Sequence, residues 1–144
     1  MLTIKKILCP IDFSEPSSRG LDFAVDLAKL FQAELVVLHV LQVLPARYTF
    51  DVPEFESIIH KESEQQLKDE VAKRVPATIK TKLLVGHGNA AKEIIEMAEG
   101  EKADLIVIAT QGHSGWQHFV MGSVAEKVVR HAHCPVFAVR ERRS

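Results

Sequence analysis

The sequence predicts an α/β fold, a doubly wound five-stranded parallel sheet of order 3-2-1-4-5 with helices on both faces. Two observations carry that prediction. Leu35-Val36-Val37-Leu38 and Leu105-Ile106-Val107-Ile108-Ala109 are short, unbroken apolar runs rich in β-branched residues, as expected of strands covered on both faces. Between such runs lie stretches whose apolar residues recur at helical spacing, so the elements alternate as parallel βαβ units with right-handed crossovers. At 144 residues the chain is long enough to bury a core, and residues 1–144 read as a single domain.

Ile4 to Cys9 is the first strand, stopped by Pro10, which cannot donate to a ladder. Asp12-Phe13-Ser14-Glu15-Pro16 opens the first helix: Ser14 is the N-cap, Glu15 suits the positive end of the dipole, and Pro16 is tolerated in the first turn. Leu21, Ala24, Val25, Ala28 and Phe31 give that helix one apolar face as far as Gln32. Glu34 to Leu41 is the second strand. A mixed loop with Pro45 and Tyr48 follows, then a long charged helix from Glu54 to Val75. Its sparse apolar stripe is Phe55, Ile58, Ile59, Leu67, Val71 and Val75. Lys80 to Val85 is the third strand and Gly86-His87-Gly88 the turn after it. Asn89 caps a helix from Ala90 to Gly100. Leu105 to Ala109, Ser123 to His131 and Val136 to Arg140 are the fourth strand, the last helix and the fifth strand.

Composition excludes several classes of function. A formal charge of −1 leaves no electrostatic footprint for nucleic acid, and the basic tail of Arg140, Arg142 and Arg143 reads as a solvated terminus. No apolar run reaches the roughly 18 residues of a membrane span. The first residues, Met1-Leu2-Thr3-Ile4-Lys5-Lys6, lack a signal peptide's apolar region. Cys9 and Cys134 sit in apolar context and read as core residues of a reducing compartment, so the expectation is a cytoplasmic protein.

The chemistry gathers after the fourth strand. Thr110 to Met121 is polar and glycine-rich, and Gly122-Ser123-Val124-Ala125 opens a helix. Gly112, Gly115 and Gly122 let backbone approach a ligand closely, Ser123 can cap the helix and donate a hydroxyl, and the free N–H groups of the first turn form an anion site. In the predicted strand order this segment shares a crevice with Pro10-Ile11-Asp12, at the switch point where such sheets bind ligands. Strand, glycine loop and helix N-terminus together predict a bound nucleotide.

Other motifs fall away. Gly86-His87-Gly88 lacks the acidic residue that a dinucleotide fingerprint needs at the end of the next strand, where Thr110 and Gln111 stand. His131-x-His133-Cys134 lies at a helix end ahead of Pro135 and has no second ligand cluster for a metal. There is no Walker A lysine and no nucleophile elbow, which argues against an efficient enzyme.

The segment Gly112-x9-Gly122-Ser123, the run Val124 to Ala132 with Cys134-Pro135-Val136, the opening Ile7 to Ser14 and the strand end Leu38-His39-Val40 together resemble the universal stress protein family, with its Rossmann-like fold. The resemblance covers nearly the whole chain. It implies that Asp12 holds ribose hydroxyls, that Val40 presents backbone to adenine, and that Pro10 and Ile11 line the base pocket. Gly112, Gly122 and Ser123 take two glycines and the hydroxyl of the family's Gly-x2-Gly-x9-Gly-Ser/Thr pattern, and Val124 and Ala125 lend N–H groups near the phosphates. The implied cofactor is ATP, with Mg2+ or Mn2+ as a companion ion. The implied function is an ATP-binding regulatory module of stress responses with little or slow hydrolysis. The alternatives are a nucleotide-free dimeric interaction protein of the same family and a slow ATPase.

Two departures bear on the energetics. Ala109 stands where the pattern has its first glycine, and a positive φ there would be costly. From Thr110 to Met121 there is no Lys or Arg; His113 and His118 stand there instead, so ATP affinity is expected to rise below pH 7. Finally, the fifth strand would be an exposed apolar edge through Val136, Phe137, Ala138 and Val139, which a second copy could cover, so a homodimer through strand 136–140 is expected.

Overall fold

The computed structural model describes residues 2–42, 52–111 and 122–140. Five strands, β1 (Lys6–Pro10), β2 (Glu34–Leu41), β3 (Thr81–His87), β4 (Leu105–Ala109) and β5 (Val136–Val139), form one parallel sheet in the order β3-β2-β1-β4-β5. Four helices connect them: α1 (Glu15–Phe31), α2 (Val52–Arg74), α3 (Ala90–Gly100) and α4 (Ser123–His131). The predicted strand order and helix order are those observed.

The sheet separates two apolar layers. On one face Ile7, Cys9, Leu35, Val37 and Val107 pack against Leu21, Ala24, Val25 and Ala28 of α1 and against Leu67 of α2. On the other, Leu8, Val36, Leu38, Ile106 and Ile108 meet Ala91, Ile94 and Ala98 of α3 and Ala125 and Val128 of α4. Successive strand residues point to opposite faces, and here both faces are covered, which is why β2 and β4 read as continuous apolar runs.

Helix α2 is held at its C-terminal half. Leu67 is fully buried, Val71 and Val75 pack beside it, and Phe55 and Ile58 of the expected stripe are 48% and 56% exposed. Polar links reinforce that end: Ser18 Oγ donates to Glu70 at 2.8 Å, and Arg74 reaches Glu70 at 2.6 Å and Asp22 at 2.9 Å.

Three local expectations need correction. Pro10 is the last residue of β1 and pairs with Leu38 of β2, and Ile11 N–H bonds to the Leu38 carbonyl at 2.8 Å, whereas the pairing of β1 with β4 ends at Leu8, short of the proline. Strand β3 continues through His87, with buried Gly86 beside Val40, so the turn is confined to Gly88 at φ 116° and Asn89, the N-cap of α3. Helix α4 is capped by Gly122, which makes Ser123 its first helical residue and not its cap. At the edge, Val139 is buried with the α1 layer, whereas Phe137 is 41% exposed beside Phe23.

Candidate functional site

The C-terminal tips of β1, β2 and β4 open together between the N-termini of α3 and α4, around a cavity of about 490 Å3. Of the residues singled out in the sequence, Pro10, Ile11 and Asp12 line it from the β1 tip, and Val40 from β2. Ala109 lines it from β4, and Gly122, Ser123, Val124 and Ala125 from the entrance of α4. Gly112, Gly115, His113 and His118 lie outside the described residues. The cavity falls within the range of about 300–1,000 Å3 typical of small-molecule sites.

The β1–α1 turn is tightly wired. Asp12 Oδ1 accepts from the Ser14 backbone N–H at 3.0 Å and from the Ser14 hydroxyl, while Ser14 Oγ in turn accepts from Ser17 N–H at 3.3 Å as the N-cap of α1. Asp12 N–H donates to Ser17 Oγ at 3.2 Å. Between Asp12 and Ser14, Phe13 adopts a left-handed φ of 64°, a conformation costing about 1–3 kcal/mol for a residue with a side chain. The surrounding bonds hold that conformation in place.

Across the cavity, the first intrahelical bond of α4 runs from Glu126 N–H to the Gly122 carbonyl at 2.9 Å, and among the described residues no side chain caps the helix. The N–H groups of Ser123, Val124 and Ala125 therefore precede the helical ladder, the arrangement that attracts anions, worth about 0.3–1 kcal/mol per charge near such an end. Gly122 N–H bonds the Thr110 carbonyl, and a Cβ on Gly122 would stand 3.0 Å from that oxygen. The glycine thus closes β4 against α4 where any side chain would crowd the joint. Ala109 is not among the positive-φ residues and pairs with Val139 as ordinary strand, so its methyl costs no backbone strain.

Asp12 is the acidic side chain on the cavity wall, and among the described residues the wall carries no Lys or Arg. Lys127 lies on an adjoining hollow of about 380 Å3 that shares Gln42, Ala90, Ser123 and Val124 with the main cavity. His39, within the predicted second strand, also lines the cavity: its Nδ1 lies 2.9 Å from the Ile11 carbonyl and its ring packs on Phe13. Its position between Leu38 and Val40 at a strand's C-terminal end was the available signal. Among the described residues no group of three or more His, Cys, Asp or Glu could hold a metal, and no helix is long and apolar enough to cross a membrane.

Comparison with known proteins bears on this arrangement. The sequence pattern of the universal stress protein family matches residues 3–140. Universal stress protein MJ0531 of Methanocaldococcus jannaschii is 37% identical over 95% of this chain and 82% of its own length. Universal stress protein G of Escherichia coli O157:H7 is 34% identical, covering 94% and 99%. Among solved structures, protein MJ0577 of M. jannaschii superposes with a TM-score of 0.80 at 29% identity over 99% of both chains. The universal stress protein from Archaeoglobus fulgidus, solved in complex with dAMP, has a TM-score of 0.64 at 27% identity and covers 96% of this chain and 98% of its own.

Proposed function

Because the chain belongs to the universal stress protein family, we propose that it is an ATP-binding regulatory module of stress responses, working as one domain in the cytoplasm. The observation that carries this reading is the shared cavity: Asp12 and Val40 on one side, the Gly122–Ala125 helix entrance on the other. Ribose hydroxyls would donate to the Asp12 carboxylate, adenine would lie against Val40, Pro10 and Ile11, and phosphates would meet the N–H groups of α4. Gly112 would extend that phosphate contact. With no Lys or Arg on the described wall, a triphosphate relies on those N–H dipoles and on Mg2+ or Mn2+ as a companion charge. The dAMP complex of the A. fulgidus relative supports an adenine nucleotide as the guest.

Turnover is slow in this account. Hydrolysis needs a positioned base, and of the titratable groups on the described wall, Asp12 is tied to Ser14 and His39 to Ile11. Dimerisation through β5 fits its edge position and the exposed rings of Phe137 and Phe23, 5.9 Å apart. Mass spectrometry of small molecules released from freshly purified protein tests the reading. Release of ATP supports it. Protein that carries no nucleotide and takes up no added ATP would be the family's nucleotide-free interaction protein instead.

A further inference from the structure

We infer that His39 is a positioning residue for nucleotide binding, acting on Asp12 and through it on the ribose; this rests on the adenine-nucleotide reading above. Asp12 sits between two residues that one imidazole holds. On its N-terminal side, His39 Nδ1 is 2.9 Å from the Ile11 carbonyl oxygen. On its C-terminal side, the His39 ring packs on Phe13, with centroids 4.4 Å apart and planes tilted by 44°. A carbonyl oxygen only accepts, so Nδ1 carries the proton and donates.

The Ile11 carbonyl and the Asp12 N–H belong to one rigid peptide unit. His39 pins its oxygen, and Ser17 Oγ pins its N–H at 3.2 Å. That plane sets where the Asp12 side chain starts, while Phe13 at φ 64° sets how the chain leaves. His39 shares its face of β2 with buried Leu35 and Val37. An apolar residue would continue that layer; a hydrogen-bonding ring stands there instead, next to Val40, at the point where the cavity begins. The same side chain thus ties the β2 tip that would meet adenine to the β1 tip that would meet ribose.

The test compares ATP with 2′,3′-dideoxy-ATP by calorimetry on the full chain. His39→Phe keeps a ring over Phe13 and removes the donor; His39→Asn keeps an amide donor near the place of Nδ1. Wild type is expected to prefer ATP, and His39→Phe to lose about tenfold in ATP affinity, roughly one hydrogen bond's worth. Its affinity for the dideoxy nucleotide should stay within about twofold of wild type, and His39→Asn should recover most of the loss. If His39→Phe fails to melt cooperatively, His39→Leu, which continues the Leu35 and Val37 layer, takes its place. Equal losses for both nucleotides, or unchanged ATP binding, would overturn the inference. Wild type that binds ATP without preferring its hydroxyls would also overturn it, whereas wild type that binds neither nucleotide refutes the nucleotide reading itself.

Discussion

Asp12 has two roles that substitution separates. Its Oδ1 closes the turn ahead of α1 by accepting from Ser14 N–H and Ser14 Oγ. Asp12→Ala removes that acceptor, at a cost of about 1–2 kcal/mol by analogy with lost helix caps. For a domain of this size that lowers Tm by roughly 3–8 °C. Asp12→Asn keeps an oxygen in the same place, so the fall in Tm should be less than half as large. The asparagine loses charge: a hydrogen bond to a charged group nets about 1.5–3 kcal/mol against about 0.5–1.5 for a neutral one. Over one or two ribose hydroxyls the difference is about 1–3 kcal/mol, or roughly 5- to 150-fold in Kd. Scanning calorimetry with ATP titration reads both effects on the same samples. Wild-type ATP affinity in Asp12→Asn would refute the placement of ribose on this carboxylate, and an unchanged Tm in Asp12→Ala would refute its part in the turn.

Burial pushes the Glu70 carboxyl up, but bonds from Ser18 and Arg74 and the charges of Arg74 and Lys73 outweigh it and hold it below the ordinary 4.5. A depressed carboxylate stabilises the fold above its unfolded value and loses that contribution as pH falls through the folded one. Glu70→Gln should therefore flatten the decline in stability below pH 4.5, measured by urea unfolding between pH 7 and pH 3; a parallel decline contradicts the Ser18–Glu70–Arg74 link. Burial, with Asp22 adding, raises the Cys9 thiol from 9.0 to about 12. A thiol kept neutral by folding contributes stability that fades between those two values as pH rises. Iodoacetamide at pH 8 should accordingly modify half-buried Cys134 and spare Cys9 in folded protein, and adducts on Cys9 by mass spectrometry would disprove its burial. Phe137→Arg places charge on the edge strand β5 at the exposed end of the face it shares with buried Val139, beside Phe23, so light scattering should report monomers; an intact dimer rules out this edge.

The parts of the fold most legible in the sequence are those whose environment is uniform. β2 and β4 keep the bounds their apolar runs suggest, because both faces of each are covered. Ser14 and Asn89 are the caps their side chains predict. Less legible were features decided by close approach between distant segments. Gly86 has a turn former's composition but lies in the ladder beside Val40, within van der Waals reach of Leu38 and Glu93 for any added Cβ. Ser123 has a cap's chemistry, yet Gly122 is the N-cap, at a joint where a Cβ would crowd the Thr110 carbonyl at 3.0 Å. Phe55 and Ile58 follow the helical period of α2 but face outward, since the buried anchor of that helix is Leu67. For the site, the tips of β1 and β4 were found from strand order alone. His39 was not, because its bond to Ile11 depends on the register of β2 against β1.

The most direct test is a crystal structure of the protein grown with ATP and Mg2+. The account predicts adenine against Val40, ribose hydroxyls on Asp12 and phosphates at the Gly122–Ala125 entrance of α4. Nucleotide bound elsewhere on the surface, or a cleft without nucleotide in crystals from a solution in which ATP binds, would contradict it.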